Sequence, residues 1–204
     1  MFYDREDGGQ QLGRFLSSQK VKVDIILGLP RGGVVTAAAL SKILKKPLGV
    51  LVVRKLGLPG HSEFAVGAIA EGGIEIYNAE TLATLGMSKK DLAQVLKIEK
   101  IRLNSYIKKF RKGRLDIKNK VVMLVDDGIA TGLTTKAAIL ACRKHEAKKV
   151  IVTAPVASTS AASEIEKIAD KTYFLKTDPL FMSVGQYYQY FKQTDDKEVQ
   201  QLLF

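Results

Sequence analysis

Val122–Thr134, VMLVDDGIATGLT, decides the fold of this 204-residue chain. Four apolar residues, Val122 to Val125, read as a buried strand that ends in two adjacent carboxylates, Asp126 and Asp127. A loop of small residues follows, and then a helix whose first turn is rich in threonine. In parallel α/β sheets, ligands sit at the carboxyl ends of the strands, where this loop falls. Gly128, Ala130 and Gly132 let backbone N–H groups approach a ligand, Thr131, Thr134 and Thr135 add hydroxyls, and a helix N-terminus favours an anion. A phosphate on the loop and a diol on the carboxylates is the chemistry this arrangement fits. A P-loop would need Gly-Lys-Ser/Thr, but Gly132 is followed by Leu133 and Lys136 comes too late. A calcium loop spaces its carboxylates instead of placing them side by side.

The same strand–loop–helix grammar recurs on either side. Val23–Leu27 opens into Gly28-Leu29-Pro30-Arg31-Gly32-Gly33, followed by a helical stretch from Val34 to Lys45 and an apolar run from Leu48 to Val53. This first loop lacks the glycine spacing of a dinucleotide fingerprint. Downstream, a helix over about 134–145, a strand at Val150–Thr153, a helix near 158–169 and a strand near 172–175 continue the alternation. Short apolar strands alternating with helices predict an α/β fold with a five-stranded, mainly parallel sheet flanked by helices. Phe64–Ala70 and Ile74–Tyr77 flank Glu71-Gly72-Gly73 and read as a β-hairpin. Ser88 and Asp91 form a capping box before a helix whose apolar positions are Leu92, Val95, Leu96, Leu103, Ile107 and Phe110.

Composition narrows the function classes. Apolar residues make up 46% and charged residues 26%, as in globular domains, which argues against a disordered chain. No run approaches the roughly 18 apolar residues of a membrane span, and the acidic start MFYDRED does not read as a signal peptide; a cytoplasmic protein without membrane partners is expected. One cysteine, Cys142, and two distant histidines, His61 and His145, leave no metal cluster and no triad. The net charge is +11, and the stretch 89–114, with ten basic and two acidic residues, carries +8 of it. A solvated helix face is the plain reading; RNA contact or recruitment of an anionic substrate are the alternatives, with RNA not favoured because no reader of bases lies beside the lysines.

VMLVDDGIATGLT resembles the thirteen-residue phosphoribosyl pyrophosphate (PRPP) motif of the type I phosphoribosyltransferases. LGLPRGG sits where that family places its pyrophosphate loop, and VVRKLGLPG resembles the second strand and the start of the flexible loop in adenine-type and orotate-type members. The whole chain, from FYDRE through EFAVGAIAEGG to VGQYYQYFKQTDDKEV, is similar to bacterial phosphoribosyltransferases of unassigned substrate. The resemblance implies a single domain over residues 1–204. Residues 54–118 would form an insertion of flexible loop, hairpin and basic helix, and residues 1–20 and 178–204 a small hood over the acceptor.

The resemblance also implies roles. Asp126 and Asp127 would hold the ribose 2- and 3-hydroxyls, and Gly128 and Ala130, Thr131, Gly132, Leu133 and Thr134 would cradle the 5-phosphate. Arg31, Gly32 and Gly33 would line the pyrophosphate, while Arg54 and Lys55 would bring it positive charge. Mg2+ would be held mainly by PRPP and water, with Asp126 and Asp127 as the candidate direct ligands. The implied enzyme is a magnesium-dependent glycosyltransferase of nucleotide metabolism, a homodimer, that moves the 5-phosphoribosyl group to a base or amine and releases pyrophosphate. Hypoxanthine/guanine-type members carry an aspartate and a lysine where this chain has Ala130 and Leu133, which counts against a 6-oxopurine acceptor. The alternative on the same fold is a non-catalytic PRPP-sensing or RNA-binding regulator.

Overall fold

The computed structural model describes residues 1–61 and 64–204 in full, and residues 62 and 63 by backbone alone. The chain opens with helix α1 (Arg5–Ser18), started by the Asp4 side chain, which accepts the Asp7 N–H, and by acidic residues that suit a helix N-terminus. Strand β1 (Ile25–Gly28), helix α2 (Gly32–Leu44) and strand β2 (Leu48–Val50) form the first βαβ unit. Strand β6 (Val121–Val125), helix α5 (Leu133–Lys144), strand β7 (Lys149–Ser158), helix α6 (Thr159–Glu166) and strand β8 (Lys171–Asp178) form the second series. The sheet order is β2-β1-β6-β7-β8, and all four pairings are parallel.

Alternate residues of the strands serve opposite layers. Ile26, Met123, Val125 and Ile151 pack beneath α1 and α2 with Leu12, Leu16, Ala37 and Leu40. Leu27, Val122, Leu124, Val150 and Val152 face α5 and α6. The period of two in the strands thus fills two cores at once, which is why the strands read as unbroken apolar runs. Helix α1 reaches α2 closely through Gly9, where a Cβ would fall 2.3 Å from the Thr36 carbonyl oxygen. That contact holds the start of α1, and with it Arg5, at the carboxyl edge of the sheet.

Between the two series the chain builds a second sheet. Strands β3 (Val53–Leu58), β4 (His61–Ala70) and β5 (Ile74–Tyr77) pair antiparallel in that order. The 64–70/74–77 hairpin expected from the sequence is present, and Gly72 and Gly73 take positive φ at its turn. The single strand expected over 48–53 is instead divided: β2 stays in the parallel sheet and β3 leaves for the small one. The division follows from the buried carboxylate of Glu71, which accepts the Val52 N–H (2.7 Å) and takes that backbone group out of the parallel ladder. Of Gly57, Pro59 and Gly60, read as the start of a flexible loop, Gly57 lies in β3 at a shift of register, and Pro59 and Gly60 form the bend between β3 and β4.

Helix α3 (Ala79–Thr84) and the capping box of Ser88 and Asp91 lead into α4 (Ala93–Phe110), and α7 (Asp196–Leu203) closes the chain. Leu103, Phe110 and Val199 pack with Val50, Val52, Leu56 and Ile69 at the β2 edge. The basic stretch spends much of its charge on ion pairs within the molecule, mostly at its surface: Lys100 pairs with Glu75, Arg102 with Glu99, Lys109 with Asp196 and, more deeply, Arg111 with Glu71. No helix among the described residues is long and apolar enough to cross a membrane.

Candidate active site

The strand order reverses direction between β1 and β6: from β1 the chain crosses through α2 to β2, and from β6 through α5 to β7. Such a switch point leaves a crevice outside the carboxyl ends of the two strands. Two loops meet there, residues 29–33 after β1 and residues 126–132 after β6. Leu29 N–H donates to the Val125 carbonyl (2.9 Å), so the loops leave the sheet side by side. The Pro30–Arg31 peptide is cis.

Gly32 and Gly33 press directly on the acidic pair. A Cβ on Gly32 would stand 2.0 Å from Asp127 Oδ2, and one on Gly33 would stand 2.8 Å from Asp126 Oδ1. Only residues without side chains fit between the first loop and these carboxylates. The arginine beside them turns away: Arg31 pairs at 3.5 Å with Asp196 on α7.

Asp126 and Asp127 differ in environment. Asp127 Oδ2 accepts from Arg5 Nε at 2.6 Å, and the Asp127 carbonyl accepts the Tyr188 hydroxyl, which burial and the Asp127 charge hold far above the usual tyrosine range. Arg5 also lies over the Phe191 ring, 3.8 Å from its centre, and donates to the Lys192 carbonyl. Asp126 has no such cation. Burial, followed by the neighbouring Asp127 charge, pushes its carboxyl well above the ordinary range. Its Oδ1 accepts the Asp127 N–H at 2.9 Å. The pair is therefore asymmetric: Asp127 is held by a guanidinium, and Asp126 is biased toward its protonated form.

The loop beyond the pair is fixed by β7. Strand β7 outruns β6, and Ile129 pairs with the overhang: Ile129 N–H donates to the Val156 carbonyl (3.0 Å) and Ser158 N–H to the Ile129 carbonyl (2.8 Å). Ser158 Oγ donates to the Ala130 carbonyl. Gly132 caps α5 with φ +73°, the left-handed region. The described hydrogen bonds leave the N–H groups of Ala130, Thr131 and Gly132 without a protein acceptor. These groups and the first turn of α5 border a hollow of about 150 Å³ that Lys55 also lines. Free amides at a helix start are a receptor for phosphate.

Adjoining this hollow is a cleft of about 560 Å³, bordered by Pro30, Asp126 and Thr134 from the main sheet and its loops and by Arg54, Lys55 and Arg102 from β3 and α4. Lys55 and Thr134 border both hollows. Arg54 extends from β3 to Glu99, with Nε 2.8 Å from Oε2, and lies over the Tyr106 ring. Arg102 donates to the other oxygen of Glu99 at 2.6 Å. The sequence reading named Arg54 and Lys55 but missed Glu99, Arg102 and Arg5. Glu99 was visible as one of two acids in a basic run, and its spacing to Arg102 suits a helix pair. Nothing local pointed to Arg5.

A family model described as phosphoribosyl transferase domain matches residues 7–187. The chain belongs to the phosphoribosyl transferase family. Two curated relatives from Mycobacterium tuberculosis, strains CDC 1551 and H37Rv, carry the provisional name phosphoribosyl transferase; each is 40% identical over 201 residues, 98% of this chain. The chain spans 45% of the length of these relatives. The crystal structure of TT1426 from Thermus thermophilus is 33% identical, with a TM-score of 0.77 over 99% of this chain and 97% of that one. The AQ2163 protein of Aquifex aeolicus, 13% identical with a TM-score of 0.50 over 85% of this chain and 74% of its own, shares the fold alone. The phosphoribosyl transferase model covers the acidic pair, both loops and the Arg54–Glu99–Arg102 cluster, and it reaches Tyr187, next to the tyrosine that holds the Asp127 carbonyl.

Proposed function

We propose that this phosphoribosyl transferase moves the 5-phosphoribosyl group of PRPP to a base or amine other than a 6-oxopurine and releases pyrophosphate. The observation that carries the reading is the make-up of the site: a free-amide hollow and a cationic cleft that share Lys55 and Thr134, with Asp126 of the acidic pair on the cleft wall. PRPP carries the matching groups, a monophosphate, a diol and a diphosphate.

The 5-phosphate accepts from the amides of Ala130, Thr131 and Gly132 and the dipole of α5, which anchors the ribose. Asp126 and Asp127 receive the ribose hydroxyls, Asp127 as a carboxylate oriented by Arg5. The reaction breaks the bond from the anomeric carbon to the pyrophosphate oxygen and forms one to the acceptor nitrogen, which loses its proton. Positive charge develops on the ribose as the bond lengthens, and negative charge on the leaving group. The acidic pair suits the first, and Lys55 and Arg54 suit the second. The protein supplies position and charge rather than a covalent step.

The donor set suits Mg2+. Asp126 borders the cleft with Asp127 next to it, and no group of three or more His, Cys, Asp or Glu side chains able to hold a metal occurs among the described residues. Mg2+ commonly uses one or two carboxylates and takes its remaining ligands from substrate phosphates and water. When bound, it would neutralise diphosphate charge, with Asp126 and Asp127 as the residues able to touch it. Ala130 and Leu133, where hypoxanthine/guanine-type members carry charged residues, leave adenine-like, pyrimidine-like or unfamiliar acceptors open. The tail aromatics around Tyr188 and Phe191, stacked at 5.2 Å beside Arg5, are the candidate hood.

Calorimetric titration of magnesium–PRPP into the wild type and the Asp126→Asn/Asp127→Asn variant tests the reading. Binding by the wild type and its loss in a folded variant is the expected result. No binding by folded wild type would overturn it.

A further inference from the structure

We infer that helix α4, through Arg102, supplies a third cation to the diphosphate side of the cleft, a role that rests on the proposed use of PRPP. Arg102 borders that cleft together with Arg54, Lys55 and Asp126, although it lies 47 positions beyond Lys55 on a different element. Its partner is unusual for a surface helix. The Glu99 side chain is only 9% exposed, yet it receives Arg54 from β3 on one oxygen and Arg102 on the other. A carboxylate shared in this way leaves the two arginines with an excess positive charge.

The geometry leaves donors for a ligand. Arg54 meets Glu99 through Nε, and no described acceptor takes its terminal nitrogens. Arg102 uses one terminal nitrogen, and its side chain is 59% exposed toward solvent. A guanidinium offers five N–H donors in a planar fork that matches phosphate oxygens. Two forks fixed on one carboxylate, with a lysine beside them, match a group with two linked phosphates better than a single phosphate. An ion pair made only for helix stability would not need to draw Arg54 across from another sheet into the same cleft.

Titration of magnesium–pyrophosphate and, separately, of ribose 5-phosphate into the wild type, Arg102→Ala and Lys108→Ala tests this. Lys108 is an exposed cation on the same helix and does not border the cleft. Arg102→Ala should weaken pyrophosphate about tenfold, as expected for loss of a charged hydrogen bond, and leave ribose 5-phosphate unchanged. Lys108→Ala should match the wild type for both. Arg102 is largely exposed, so its removal does not threaten the fold. Unchanged pyrophosphate affinity in Arg102→Ala overturns the inference while leaving the PRPP reading intact. An equal loss in Lys108→Ala overturns it too, because the effect would then be general electrostatics. Wild type that binds ribose 5-phosphate but no pyrophosphate assigns the cleft to another group and also overturns it. Wild type that binds neither removes the PRPP reading and this inference together.

Discussion

Arg5 donates its Nε to Asp127 Oδ2 at 2.6 Å, with only 11% and 14% of the two side chains exposed. The first turn of the first helix thereby sets the orientation of a carboxylate 122 residues away. Removing one partner of such a pair strands the other. Arg5→Ala should cost about 3 kcal/mol, the lower end for breaking a buried ion pair. For a chain of this size that lowers the melting temperature by roughly 6–12 °C. Thermal denaturation reads the stability, and calorimetry should show weaker binding of magnesium–PRPP. Arg5→Lys should recover part of both, since it restores the charge without the planar group that covers Phe191.

Gly32 leaves no room for a methyl group. Alanine there would place Cβ 2.0 Å from Asp127 Oδ2 and 2.6 Å from Arg5 Nε. The carboxylate, not the loop backbone, is the part able to move. Displacement by about 1 Å should weaken magnesium–PRPP on the order of a hundredfold, the scale at which misplaced groups act. Circular dichroism should show native helix content. Wild-type affinity in Gly32→Ala would mean that the carboxylate position is not critical.

Asp126 ties stability to pH. Its carboxyl is raised above the ordinary value of 3.8, first by burial and then by the Asp127 charge. Between 3.8 and that raised value the native state holds a proton that the unfolded chain has released. The unfolded state then binds fewer protons, so stability falls as pH rises through this window and levels off above it. Asp126→Asn should remove this contribution and be the more stable protein at neutral pH. Melting curves from about pH 4 to about pH 8 on the two proteins check the sign.

Glu71 and Arg111 form the most buried ion pair described, 5% and 15% exposed, and Glu71 also accepts the Val52 N–H. It joins the β4–β5 turn, the β2–β3 junction and the end of α4. Glu71→Ala should cost about 3–5 kcal/mol in urea denaturation. Cys142 gives a second readout. Burial, with the Glu71 charge adding, pushes its thiol up to about 12. Thiolate is the reactive form and burial is the main cause, so iodoacetamide should spare Cys142 in native wild type, and faster labelling in Glu71→Ala would report opening of the core around it.

The amino-acid sequence by itself determined the alternation of strands and helices, the hairpin at Gly72-Gly73 and the strand-end position of Asp126 and Asp127. These are local signals: an apolar run bounded by glycine reads the same wherever the rest of the chain goes. The tertiary structure alone decided which charges meet. Arg5 reaches Asp127 across 122 residues and Arg54 reaches Glu99 across 45. Neither spacing follows from a helix or strand period; both depend on where the sheet order returns the chain. For the same reason 48–53 read as one strand, because the buried carboxylate that divides it belongs to Glu71, nineteen residues on from Val52. The +8 stretch read as one charged face until the acids at 71, 75 and 196 came into contact with it. Apolar burial is roughly proportional to area and carries no direction, so a pattern along the chain records it. An ion pair needs two atoms within a few ångströms, and only the folded chain brings them there.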